Sequence, residues 1–244
     1  MSKRRLLSIL GLLTLWEIAA LIVHKPFLFP YPFDVLRIML SQLRNLLFYQ
    51  SLAATICRML KGLCMTVILS LILGICSGLS AKFEEYFSSI ENVIKTIPNV
   101  SYIVVVLLWL KGERSVTVIA FLLLFPTVYS SVLLGMKQVP QEILEISALE
   151  DIPLSGRIFK VYWPYLLPYL LSSIKVGFGL GFKVSIMAEI LGAVRVGVGR
   201  EINVARGFME MDVLFAWTIW IILISLIADR FFDRIIERVK RDGA

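Results

Sequence analysis

The chain has 244 residues, 58% of them hydrophobic and 18% charged, with a formal net charge of +7. That balance excludes an ordinary soluble globule. Its cations sit mostly at the ends of apolar segments, which excludes a soluble basic face for nucleic acid. Apolar runs long enough to cross roughly 30 Å of hydrocarbon recur along the sequence, so residues 1–244 read as one all-α integral membrane domain.

Lys3-Arg4-Arg5 precedes a first apolar run, Leu6–Val23, interrupted by Glu17. No small-residue cleavage site follows, so it reads as a retained span rather than a signal peptide. Pro26, Pro30 and Pro32 introduce an amphipathic run, Phe33–Phe48, expected to lie at the interface. The second span is expected at about 55–79 and carries Gly62, Gly74 and Gly78, small residues that let helices approach closely. Cys57, Cys64 and Cys76 share this block without a C-x-x-C pair, which points to structural thiols and to no metal site.

Residues 81–87 (AKFEEYF) read as a short polar turn. The third span is expected at about 89–110 with Pro98 inside it, and Lys111–Arg114 as a tight turn. The fourth is expected at about 115–136, containing Pro126.

Residues 145–168 are the longest polar interval between two apolar blocks, yet they are not composed like a slack loop. Glu145, Ile146, Ala148 and Leu149 have the spacing of a short amphipathic helix. Pro153 disfavours helical geometry at Ile152 and breaks it. A second helical run, Ser155–Tyr162, leads to Pro164 and Pro168. The fifth span, about 165–192, is rich in glycine. An outer loop is expected over 193–212, a last span over about 213–228, and a basic tail after it.

Six spans place both termini on one side. Lys and Arg near the spans number twelve on that side and eight on the other, so the termini and the 145–168 loop are expected in the cytoplasm.

Glu145-Ile-Ser, the turn after it, Ile158-Phe159 and Trp163-Pro164 with Pro168 resemble the EAA signature of ABC-transporter importer permeases. Ile146-Ser147 stand where that family has Ala-Ala, and Asp151 where it has Gly. Asp tolerates left-handed turn geometry better than most residues. Pro30-Tyr-Pro32, Thr55-x-x-Arg58 with Gly62, Thr96-Ile-Pro98 and Ala188-Glu189 look like landmarks of the branch that imports taurine, sulfonates, nitrate or thiamine-precursor-like molecules.

The resemblance implies a type I importer fold: six transmembrane helices with a cytoplasmic coupling helix in the loop 145–164. Glu145, Ser147, Ala148, Leu149, Asp151 and Gly156 would meet the ATPase. The implied partners are a cytoplasmic ABC ATPase dimer, a second copy of the chain, an extracytoplasmic solute-binding protein and lipid. The implied location is the bacterial cytoplasmic membrane. ATP and magnesium would be held by the ATPase, and no cofactor by this chain, which has no G-x-x-x-x-G-K-[ST].

Nothing in the sequence forms a catalytic constellation. Lys175, Lys183 and Glu189 share the fifth span; at about 100° per residue all three occupy one half of the helix. Ionisable residues at depth face a bundle interior or a wet cavity. With Phe182 they are candidate pathway residues; the alternative is internal neutralisation, for example by Glu17 or Glu91. Arg58 and Lys61, near the outer end of the second span, either snorkel to the interface or pack on the outer loop. An ion-coupled secondary transporter using Glu17, Glu91 or Glu189 is the rival reading, but it predicts an inverted repeat that the sequence does not show. An intramembrane enzyme lacks any nucleophile–base pair or H-E-x-x-H.

Overall fold

The computed structural model describes residues 3–242, and every element among them is helical. In chain order these are α1 (Lys3–Val23), α2 (Pro32–Gln42), α3 (Leu46–Leu79), α4 (Ala81–Thr96), α5 (Asn99–Trp109) and α6 (Glu113–Met136). They continue with α7 (Gln141–Leu149), α8 (Leu154–Arg157), a π-helical turn (Ile158–Tyr162), α9 (Trp163–Gly192), α10 (Val198–Gly207) and α11 (Met211–Asp242). Met1, Ser2, Gly243 and Ala244, and the side chains of Lys3, Arg4, Arg5 and Lys240 counted in the charge bias, lie outside the described residues.

The centre is a layer of α3, α6 and α9, and small residues set its spacing. A Cβ on Gly62 would lie 2.8 Å from Ala120 Cβ; one on Gly74 would lie 2.5 Å from Val132 Cγ1; one on Gly78 would lie 2.6 Å from Met136 Cβ. The order of these contacts makes α3 and α6 parallel. Gly135 meets Leu166 while Gly181 meets Met59 and Leu124, so α9 runs antiparallel to both. One end of the bundle therefore holds the starts of α3 and α6, the end of α9, and α10. The other holds the α7–α8 turn.

Two parallel helices need a return crossing, and α4–α5 supplies it. Glu84 pairs with Lys137 near the α7 end, Phe87 packs on Phe125 and Tyr129, and Ile103 and Val106 meet Val116 and Ile119 near the α10 end. On the flank, α11 packs Trp217 against Phe48, Phe182, Ile186 and Val198.

Helices α3, α6 and the Met211–Arg238 part of α11 are long and apolar enough to cross a membrane, and α4 with α5 qualifies as one span bent by 91°. Leu10–Val23 is a shorter apolar helix. At 30 residues α9 is about 45 Å long, and it carries Lys175, Lys183 and Glu189 along an otherwise apolar run. Exposed Leu12, Ile68, Leu108 and Ile227 belong to the outward apolar surface that a bilayer would solvate.

Several expected boundaries move. The amphipathic run 33–48 ends at Gln42, and α3 begins at Leu46 rather than near 55, because the Asn45 side chain accepts the Leu47 N–H and caps it. Residues 81–87 are helix, not turn: Ser80 caps α4 through the Phe83 N–H. The third span is not a single helix, since Pro98 follows an extended Ile97 and bends the chain between α4 and α5. The loop 193–212 contains α10, and α11 continues through the expected tail to Asp242.

Candidate functional site

At the α7 end, the sequence folds into an ordered helix–turn–helix. Pro140 starts α7 and Pro153 starts α8. Between them Asp151 adopts φ +50°, the left-handed geometry its side chain tolerates. Ile152 keeps the turn tight through its N–H to Ser147 C=O and its own carbonyl, which accepts the Arg157 Nε–H at 3.0 Å. Gly156 faces Ile152, where a Cβ would come within 2.9 Å of Cγ2. Ser147 is buried and donates to Leu144 C=O.

The rest of this element points away from the bundle. Glu145, Ala148 and Asp151 are exposed. Leu149 is 85% exposed and Phe159 70%, and Ile146 and Leu154 are also exposed. An ordered turn that presents large apolar side chains beside acids has the composition of an interaction surface. In the π-turn that follows, Val161 is buried.

At the α10 end, the polar centre is Glu189, which has no exposed surface. Its Oε1 accepts from Arg58 Nη1 at 2.5 Å, and its Oε2 accepts from Thr55 Oγ1 and from Gly199 N–H, each at 2.9 Å. Thr55 in turn accepts the Val198 N–H at 2.9 Å. Arg58 Nη2 donates to Val196 C=O at 2.6 Å and lies 3.1 Å from Glu113 Oε1. A Cβ on Gly197 would fall 2.6–2.8 Å from the Glu189 carboxylate, and one on Gly199 would fall 2.4 Å from Ile186 C=O. Two glycines let the backbone wrap the carboxylate and satisfy a charge that would otherwise be costly to bury.

The pathway candidates separate. Glu189 and Phe182 are fully buried inside the protomer, Phe182 in the cluster with Trp217. Lys175 bonds Asp233 Oδ1 of α11 at 2.5 Å. Lys183 is exposed. Lys183 and Glu189 share half of α9 but lie about 120° apart, enough to face opposite surroundings. The expected neutralising partners are elsewhere: Glu91 is bound by Lys95 and Ser130, and Glu17 is exposed on α1. Arg58 packs on the loop before α10 through Val196, a loop contact being one of the two readings its position left open. Its partnership with Glu189 was not legible, although the paired Thr55-x-x-Arg58 and Ala188-Glu189 landmarks marked both residues.

Three comparisons bear on this arrangement. The chain is 28% identical to the taurine transport system permease protein TauC of Escherichia coli (strain K12) over 222 residues, covering 88% of this chain and 80% of that one. It is 25% identical to the nitrate import permease protein NrtB of a Synechocystis species, over 73% of this chain and 65% of that one. A solved chain of the MetNI methionine ABC transporter in an inward-facing conformation superimposes with a TM-score of 0.69 at 17% identity, covering 78% of this chain and 94% of that one. The family described as binding-protein-dependent transport system inner membrane component matches residues 66–241. Built on this helical layer, the chain belongs to that family, the permease components of ABC importers.

Proposed function

We propose that this chain carries a small anionic solute inward by alternating access, as one half of a permease homodimer that moves with two cytoplasmic ATPase subunits. The observation that carries this reading is the α7–α8 turn, rigid in its backbone and apolar on its exposed side. Glu145, Ala148, Leu149 and Asp151 would enter the ATPase surface, while Ser147 and Gly156 hold the turn in shape. ATP and magnesium would be bound on the ATPase, whose closure would draw two such turns together. Each turn leads into α9 with no intervening loop, so the pull would tilt the bundle as a rigid body.

In this reading the chain crosses the membrane six times, through α1, α3, α4–α5, α6, α9 and α11. Both termini and the turn lie in the cytoplasm, and α10 lies outside, where a solute-binding protein would deliver its cargo. The outward face of α9, with Lys183, would line the route between two copies. Taurine, named for one relative, is a zwitterion whose sulfonate end is anionic, and nitrate, named for another, is an anion. An exposed cation at that depth suits such cargo.

Glu145→Arg tests the docking assignment. The variant should insert and accumulate normally, yet lose uptake and stimulation of the ATPase. A variant that co-purifies with a fully stimulated ATPase refutes it.

A further inference from the structure

The α10 end carries a second feature that coupling and crossing leave unused. A cleft of about 440 Å³ opens beside the buried ion pair, lined by Arg58, Lys61, Glu113, Arg114 and the apolar Leu110 and Val118. Arg58 is its floor: its side chain is 7% exposed, yet Nη2 reaches Glu113 Oε1 at 3.1 Å, and that glutamate is 58% exposed. Lys61 and Arg114 are exposed at the rim. Across Glu113 and Arg114 a wider cleft of about 930 Å³ adds Lys111 and Arg195.

We propose that this cleft is a binding site for a small oxyanion, and that Glu113 occupies it in the unloaded protein. Glu189 already fixes one amino group of Arg58 from inside. The other faces the cleft and is shared between Val196 C=O and the exposed carboxylate of Glu113. Nitrate and bicarbonate offer planar oxygens like those of Glu113, and a sulfonate offers three pyramidally arranged oxygens of the same charge, so each can take its place on the guanidinium. Lys61 and Arg114 supply charge at the rim, and the two apolar side chains lower the local dielectric. Displacement of Glu113 frees the start of α6, so occupancy of the site is felt by the α6 layer. The proposal rests on the import reading, with the α10 end as the outer face, and names where an anion is first held.

The test is a titration of the full chain, assembled with its ATPase in nanodiscs, with sodium methanesulfonate and sodium nitrate. Trp109, which lines the adjoining cleft, provides the fluorescence readout. Saturable binding is expected. Lys61→Gln with Arg114→Gln should weaken it by about tenfold, since each exposed charge contributes modestly. Glu113→Gln should strengthen it several-fold by removing the internal competitor. All three positions are exposed, so these substitutions leave the buried pair intact.

An anionic lipid headgroup offers similar oxygens, so discs of phosphatidylcholine alone are compared with discs containing phosphatidylglycerol. Binding that is equal in both supports a free anion as the ligand. Loss of binding in the anionic discs would show a lipid site and overturn the proposal. So would unchanged affinity in Glu113→Gln or in the double variant. A flat titration beside intact ATP-driven uptake would also overturn it, while leaving the permease reading untouched.

Discussion

Arg58→Met is the sharpest perturbation that the fold offers. Among the described residues it removes the one cation within bonding distance of a carboxylate that has no solvent exposure. Thr55 and Gly199 still donate to Oε2, but Oε1 loses its partner and Val196 C=O loses its donor. Breaking a buried pair from one side costs about 3–5 kcal/mol, because the remaining charge is uncompensated. Glu189→Gln is milder, since a neutral amide oxygen can keep the Thr55 and Gly199 bonds and Arg58 retains Val196 and Glu113. Added to Arg58→Met, it removes the stranded charge and should restore about 2 kcal/mol, a coupling within the range expected for touching residues. Equilibrium unfolding of the full chain in mixed micelles measures both. The reasoning fails if Arg58→Met changes stability by less than about 1 kcal/mol, or if adding Glu189→Gln lowers stability further.

Gly199→Ala should destabilise the protein by about 1–3 kcal/mol through overpacking against Ile186 C=O and Glu189, measured by the same unfolding; a neutral result would show that the wrap around the carboxylate is loose. Gly62→Val should cost a similar amount by parting α3 from α6 at Ala120 and Thr117 C=O, and unchanged stability would refute that packing. Lys183→Met should leave unfolding unchanged, since the side chain is exposed, while uptake of an anionic solute falls; unchanged uptake would remove Lys183 from the route. Ser155→Cys in a chain lacking Cys57, Cys64 and Cys76 should react only with reagents that reach the cytoplasm, and labelling from outside would invert the proposed orientation.

The sequence was most legible where local chemistry decides structure. Proline spacing and the tolerance of Asp151 for positive φ were enough to read the helix–turn–helix at 145–162, and both appear in the fold. The glycines of α3 were readable as close-approach sites because nothing else explains them in an apolar run. What failed was local reading of features set by distant partners. Residues 81–87 look like a polar turn until Phe87 is seen against Phe125 and Tyr129. Leu46–Phe48 look interfacial until Phe48 is seen between Trp217 and Trp220. The Glu189 site joins residues over 130 positions apart in sequence, and helical periodicity on α9 alone could place three charged residues on one half of a cylinder without saying what each one meets.

The π-helical turn at Ile158–Tyr162 joins α8 to α9 without a break, so one helical rod runs from Leu154 to Gly192. At 1.5 Å per residue that rod is about 58 Å long. If the rod tilts by about 5° together with the bundle, its tips move by about 2.5 Å in opposite directions about the midpoint. One tip carries the exposed leucines of the turn, and the other ends three residues beyond Glu189. A push of about 2.5 Å on the first tip would then reappear, reversed in sense, where α10 wraps Glu189.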